Sequence, residues 1–212
     1  ATNEIAVANL RRRKGRVDKP FALMMADIVT IERYCQVSPH ERAVLESRQR
    51  PIVLLWEKNK EQPWISDSVA PHQHTLGVML PYTPLHYMLF PEPASPPLVM
   101  TSGNFSEEPI ATENDEAIHR LAPLADGFLL NDRDIHIRTD DSVLRIFQDT
   151  ELPMRRSRGY APYPVHLPFS VRNILAVGGE LKNTFCLTRE QHAFLSHHIG
   201  DMENFETLKS FE

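Results

Sequence analysis

The chain has 212 residues, 42% of them hydrophobic and 24% charged, with a formal net charge of −5. That length holds one ordinary domain or a domain and a fraction, and the composition excludes both a disordered tail and a collagen-like or low-complexity chain. No run reaches the roughly 18 apolar residues of a membrane span, and no secretion signal is visible. The two cysteines, Cys35 and Cys186, lie far apart and cannot build a zinc site alone, so a reduced cytoplasmic setting is expected. The chain opens at Ala1 without an initiator Met, as though something had been cut, and carries 17 Pro against 8 Gly.

Thr2 or Asn3 can cap a first helix whose apolar side fades into arginines. Apolar runs at 21–26, 51–56, 76–80, 98–100, 128–130 and 143–147 read as strands. Ser38-Pro39-His40-Glu41 is a capping box with Pro at the first helical position and predicts a helix over about 39–48. Thr83-Pro84 predicts a short helix to Phe90, and Thr112 a capped helix to about Leu121. Continuous apolar strands interleaved with helices predict an α/β class with a covered sheet. The proline-bearing stretch 160–168 reads as a semi-rigid linker. Beyond it, 174–179 and 184–188 read as a hairpin extended by 193–196, too small to bury its own core.

Charge is uneven. Residues 11–19 carry six cations and one Asp, whereas the stretch after Gly200 carries four carboxylates and one Lys. A basic cluster on an acidic chain points to one local anion. Lys14, Arg16 and Lys19 lead from a helix end into a strand and can neutralise a triphosphate or carboxylate; the same charges also suit a solvated helix terminus. Thr101-Ser102-Gly103-Asn104-Phe105-Ser106 ends a buried strand, where α/β sheets collect ligands, although these residues also build ordinary turns. Asp140 and Asp141 can hold Mg²⁺ or pair with neighbouring arginines. Arg155, Arg156 and Arg158 suit an anion or a surface. His72, His74, His197 and His198 lack a third ligand at motif spacing and read as ordinary histidines.

Taken together, Lys14-Gly-Arg-Val-Asp-Lys-Pro20, the 101–106 segment and Asp141-Ser142-Val143 resemble the YrdC family of carbamoyl-adenylate-forming domains. Longer stretches resemble the HypF-type carbamoyltransferase branch, which matures [NiFe] hydrogenases: Leu76-Gly-Val-Met-Leu-Pro-Tyr-Thr-Pro-Leu-His86, Arg156-Ser-Arg-Gly-Tyr-Ala-Pro162, Gly178-Gly-Glu-Leu-Lys-Asn-Thr-Phe-Cys186 and His198-Ile-Gly-Asp-Met-Glu-Asn204. The resemblance covers essentially the whole chain. It implies a YrdC-like open, twisted mixed sheet with helices on its faces over 1–168, lacking its first strands. The start of a Kae-like transferase lobe would follow over 169–212.

The implied chemistry joins carbamate, released from carbamoyl phosphate, to ATP, giving carbamoyl-adenylate and pyrophosphate. The carbamoyl group then passes to the C-terminal cysteine of the partner HypE. Lys14, Arg16 and Lys19 are implied as phosphate and carboxylate binders. Ser102, Asn104, Ser142, Arg156 and Arg158 are implied around ATP, with Asp141 beside Mg²⁺. Zinc is expected only in the intact protein. Where threonine-using relatives place a His and an Arg, this chain has Met24 and Met79, which favours the smaller carbamate. The isolated piece is expected to be weakly active or inactive. The rival reading is a non-catalytic RNA-binding module using the arginines, disfavoured by net acidity and by the lack of interleaved aromatic residues.

Overall fold

Two caps legible in the sequence start the first and third helices. Asn3 Oδ1 accepts the Ala6 amide at 3.0 Å to open α1 (Glu4–Arg13). Ser38 and Glu41 form the reciprocal capping box of α3 (Pro39–Glu46), and such caps are each worth about 1 kcal/mol. Between them lies α2 (Ile28–Tyr34), capped by Asp27, which the apolar pattern alone did not announce. The computed structural model describes residues 1–58, 64–92, 94–105 and 108–211. Ser106 of the 101–106 segment lies outside them.

A six-stranded mixed sheet runs in the order β4-β1-β3-β2-β5-β6. Its strands are β1 (Ala22–Met24), β2 (Ile52–Trp56), β3 (Thr75–Met79), β4 (Leu98–Met100), β5 (Val143–Phe147) and β6 (Thr150–Arg155). β1–β3 and β2–β5 pair in parallel, and the other neighbours are antiparallel. Because side chains alternate along a strand, the two faces bury different sets. Leu23, Val53, Val78 and Leu144 join Val7, Ile31 and Leu45 of the helices in the main core. Met24, Ile52 and Met79 form a smaller apolar floor on the other face, flanked by Tyr82 and Phe90 around α4 (Pro84–Met88).

Several expectations change. Residues 128–130 form no strand: Leu129 is 79% exposed, and three apolar residues find no neighbour to bury them. Thr112 does not cap α5 (Asn114–Leu121); Glu113 holds that position without a side-chain bond, and the Glu116 carboxylate instead accepts the Thr112 amide. β6 was not foreseen. It follows β5 through Gln148 and Asp149, both at positive φ, which is the hairpin conformation compatible with strand twist.

The expected linker gives way at Val165 to β7 (Val165–Val171), the edge strand of a three-stranded sheet β7-β9-β8. Pro168 is tolerated there because an edge strand leaves one row of amides unpaired. The two runs 184–188 and 193–196 belong to one long strand, β9 (Phe185–Leu195), except for Thr184 and Ser196. Its first half pairs with β8 (Leu175–Val177) and its second with β7. The chain then passes through 196–204 into α6 (Phe205–Phe211). Ala193 is buried, while Phe169, Leu175, Val177 and Leu187 stay exposed, so this small sheet buries little by itself.

Candidate anion-binding site

The basic segment acquires its shape at the end of α1. The Gly15 amide donates to Arg12 O at 3.1 Å and the Arg16 amide to Arg11 O at 3.0 Å, the paired bonds of a Schellman cap. Gly15 supplies the left-handed residue this turn requires, at φ +61. The turn separates the cations by role. Arg11 folds back onto the carbonyls of Arg16, Val17 and Lys19 and onto Ser68 O, so it shapes the loop that presents Arg16 and Lys19. Lys14 points inward and is 3% exposed.

Lys14 Nζ donates to Ser102 O at 2.7 Å and to Asn104 O at 2.8 Å, at the point where β4 ends. Burial, with Arg16 and Lys19 nearby, pushes its pKa down to about 8. Ser102 Oγ donates to Asn104 Oδ1 at 2.6 Å, and Asn104 Nδ2 to Glu108 O at 2.6 Å. The loop is therefore a small preorganised network with an ammonium at its base. Arg16 donates to Lys19 O, Pro20 O and Thr101 Oγ1 and stacks on the Phe21 ring at 4.6 Å. Its pKa falls to about 10 through burial and through its neighbours Arg11 and Arg155. Phe21, which also lies under Arg11, is buried, so this ring is not available to stack a base.

Arg155, which suits an anion or a surface together with Arg156 and Arg158, is the one of the three that the resemblance did not imply around ATP. It stands directly opposite Val143 across the β5–β6 pair, and cross-strand partners share a face. Val143 packs against the Met24–Ile52–Met79 floor, so Arg155 rises over that floor toward Arg16. Its head lies 3.7 Å from Asp140. The cleft thus has a cationic rim of Arg16, Lys19 and Arg155 and the Lys14-anchored loop at one end, while Met24, Ile52 and Met79 lie buried beneath it against Tyr82, Phe90 and Met100. Such an arrangement can bind a polyanion beside a small or planar apolar group.

The other expected residues are occupied elsewhere. Arg156 donates to the carbonyls of Leu195 (3.1 Å), Tyr160 (2.8 Å) and Tyr163 and so ties the two sheets together. Arg158 Nε donates to Asp141 Oδ1 at 2.7 Å, its other nitrogens reach Gln49 O and Arg50 O, and the guanidinium lies 3.6 Å from the Tyr82 ring centre. Ser142 is fully enclosed; its hydroxyl donates to Arg158 O at 2.9 Å and accepts the Ser157 amide at 2.7 Å. These three hold the cleft wall and do not line it. Asp141 Oδ1 accepts from Arg158 and Tyr82, so this carboxylate serves as the partner of Arg158 in the structure. Among the described residues no group of three or more His, Cys, Asp or Glu can hold a metal. Cys35 is buried, and burial raises its thiol pKa to about 12, which leaves it inert as a nucleophile.

Fold and site together define a mixed α/β domain with cations gathered at a strand end. The chain belongs to the Sua5/YciO/YrdC family, described as "Telomere recombination", which matches residues 1–157, and residues 170–212 match the HypF Kae1-like domain. It is similar to carbamoyltransferase HypF2 of Cupriavidus necator, at 45% identity over 99% of this chain and 28% of that one. A full-length HypF in phosphate- and nucleotide-bound form superposes with a TM-score of 0.91 at 51% identity, over 100% of this chain and 33% of that one. The HypF of T. kodakarensis gives 0.90 at 43%, over 99% and 27%. The chain therefore spans between a quarter and a third of these relatives' length. Among the described residues no helix is long and apolar enough to cross a membrane.

Proposed function

We propose that this chain is the carbamate-activating part of a HypF-type carbamoyltransferase in [NiFe]-hydrogenase maturation, working in the cytoplasm. Residues 1–168 would form the adenylate-forming domain and 169–212 the start of the Kae-like transferase lobe. A carbamate oxygen attacks the α-phosphorus of ATP; that P–O bond forms as the bond to the β-phosphate's bridging oxygen breaks, and pyrophosphate leaves. The C-terminal cysteine thiolate of HypE then attacks the carbamoyl carbon; the C–S bond forms as the bond to the phosphate oxygen breaks, and AMP leaves. The reading is supported by the family match and by the HypF relatives.

The observation that carries it is Lys14, buried at the base of the 101–104 loop with Arg16, Lys19 and Arg155 around the same cleft. Charge builds on phosphates during the displacement, so fixed cations and hydrogen bonds provide most of the catalysis by positioning and neutralisation. Ser102 and Asn104 hold phosphate or ribose. Met24 and Met79, paired in register and buried, put apolar side chains beneath the cleft at the positions where a charged clamp for an amino-acid carboxylate would stand.

The test is ATP–pyrophosphate exchange with ammonium carbamate as acceptor, which bypasses carbamoyl phosphate cleavage. Exchange should depend on carbamate and be lost in Lys14→Met. Exchange supported by L-threonine instead, or calorimetry showing RNA binding but none of ATP, would overturn the reading.

A further inference from the structure

His198 lies where the two sheets meet. Its amide donates to Arg156 O at 3.1 Å, while the next residue, Ile199, donates to Asn183 O at 3.0 Å and Asn183 donates to Gly200 O at 2.8 Å. The strap 196–204 is thus bonded to the six-stranded part on one side and to the three-stranded part on the other. Arg156 reinforces the first attachment through Leu195 O, and Glu206 of α6 adds a contact to Arg120 at 3.8 Å.

The imidazole is half-buried among charges from several elements. Arg155 comes from β6, Lys19 from the loop before β1, Asp140 from the turn before β5, and Asp201 from the strap itself. Two of these, Arg155 and Lys19, belong to the cationic rim described above. Burial first, and then Arg155, lowers the pKa of the ring, with Lys19 acting in the same direction and Asp140 and Asp201 opposing. Burial and the two cations therefore favour the neutral ring. A polyanion settling between Arg155 and Lys19 cancels the repulsion and adds attraction, so the same ring then favours the imidazolium.

We propose that His198, held by the strap beside Arg155 and Lys19, is a phosphate-binding residue that takes up a proton as a polyphosphate binds there. Occupancy of the first part is then read at its junction with the second by one titrating side chain. The inference rests on the polyphosphate reading of the cleft. Linkage requires binding to take up a proton around the His198 titration and to tighten as pH falls through it.

Calorimetry of the chain with inorganic pyrophosphate and with ATP, in buffers of different ionisation enthalpy, measures that uptake. Between pH 6 and 7, where Lys14 is already charged and the ligand's own phosphate ionisation is common to both proteins, the wild type should take up a fraction of a proton more than His198→Gln. His198→Gln should lose that extra uptake and bind about five- to tenfold more weakly at pH 6.5 but less than twofold at pH 8.5. His197→Gln should leave both unchanged. A second measurement needs no variant: the His198 imidazole resonance should titrate at higher pH when pyrophosphate is present. Equal uptake in the wild type and His198→Gln, or a resonance indifferent to pyrophosphate, overturns this role while leaving the polyphosphate site intact. A wild-type chain that binds neither ligand overturns the site and the role together.

Discussion

Lys14 Nζ sits 2.7 Å from the carbonyl oxygen of Ser102, eighty-eight residues away in sequence, so one ammonium both pins the end of β4 and charges the cleft beside it. Replacing Lys14 by Met keeps the aliphatic stem and removes both effects. ATP affinity should fall at least tenfold, about 1.4 kcal/mol or more, as read by calorimetry. Stability should change less, because the variant also escapes the cost of burying a charge. Unchanged ATP affinity would remove Lys14 from the binding set.

The same buried ammonium makes stability and binding respond to alkali in opposite directions. Its pKa is about 8 when folded, against an ordinary 10.5, so from about pH 8 to 10.5 the unfolded chain binds more protons. Stability from this group is therefore penalised below pH 8 and recovers as pH rises toward 10.5. Cys35, raised from 9.0 to about 12, acts in the opposite sense over its own range, and the difference from Lys14→Met removes that contribution. Urea midpoints at pH 7.5 and 10 should show the wild type gaining on Lys14→Met. ATP affinity should fall over the same interval as Lys14 loses its charge.

Arg155 and Arg156 are neighbours with different work, and their variants should separate it. Arg155→Gln should weaken ATP binding about tenfold and leave the thermal midpoint nearly unchanged. Arg156→Gln removes the donor shared by Leu195, Tyr160 and Tyr163. It should cost on the order of 2 kcal/mol of stability through unsatisfied carbonyls and speed proteolysis near 160–165. Equal effects of the two on binding would place both in the cleft.

That pair also shows where the sequence stopped being legible. Short-range chemistry was readable: the Asn3 cap, the Ser38–Glu41 box and most of the buried apolar strands appear as expected. α2 was hidden by its β-branched Ile28, Val29, Thr30 and Ile31, and β6 by an exposed, Pro-bearing pattern given direction only by the Gln148–Asp149 turn. The facing of Arg155 depends on its pairing with Val143, and no spacing within the arginine cluster encodes that. His198 was unreadable for a similar reason, because the charges around it come from positions 19, 140 and 155.

Gly159 and Gly15 offer a paired test of the cleft's two walls. Both have positive φ, +86 and +61, but a Cβ on Gly159 would lie 2.7 Å from Gln49 O and 2.9 Å from Gln49 Cα, whereas one on Gly15 meets nothing within 4 Å. The Gln49 backbone is also the acceptor of Arg158, so it cannot retreat without loosening the Arg158–Asp141 pair. Gly15→Ala should therefore cost only backbone strain, about 1 kcal/mol, and leave the Schellman turn formed. Gly159→Ala adds a main-chain collision to that strain and should cost on the order of 3 kcal/mol. Urea unfolding monitored by circular dichroism gives both values. Equal losses would mean that the close approach of Gly159 to Gln49 is not maintained in solution.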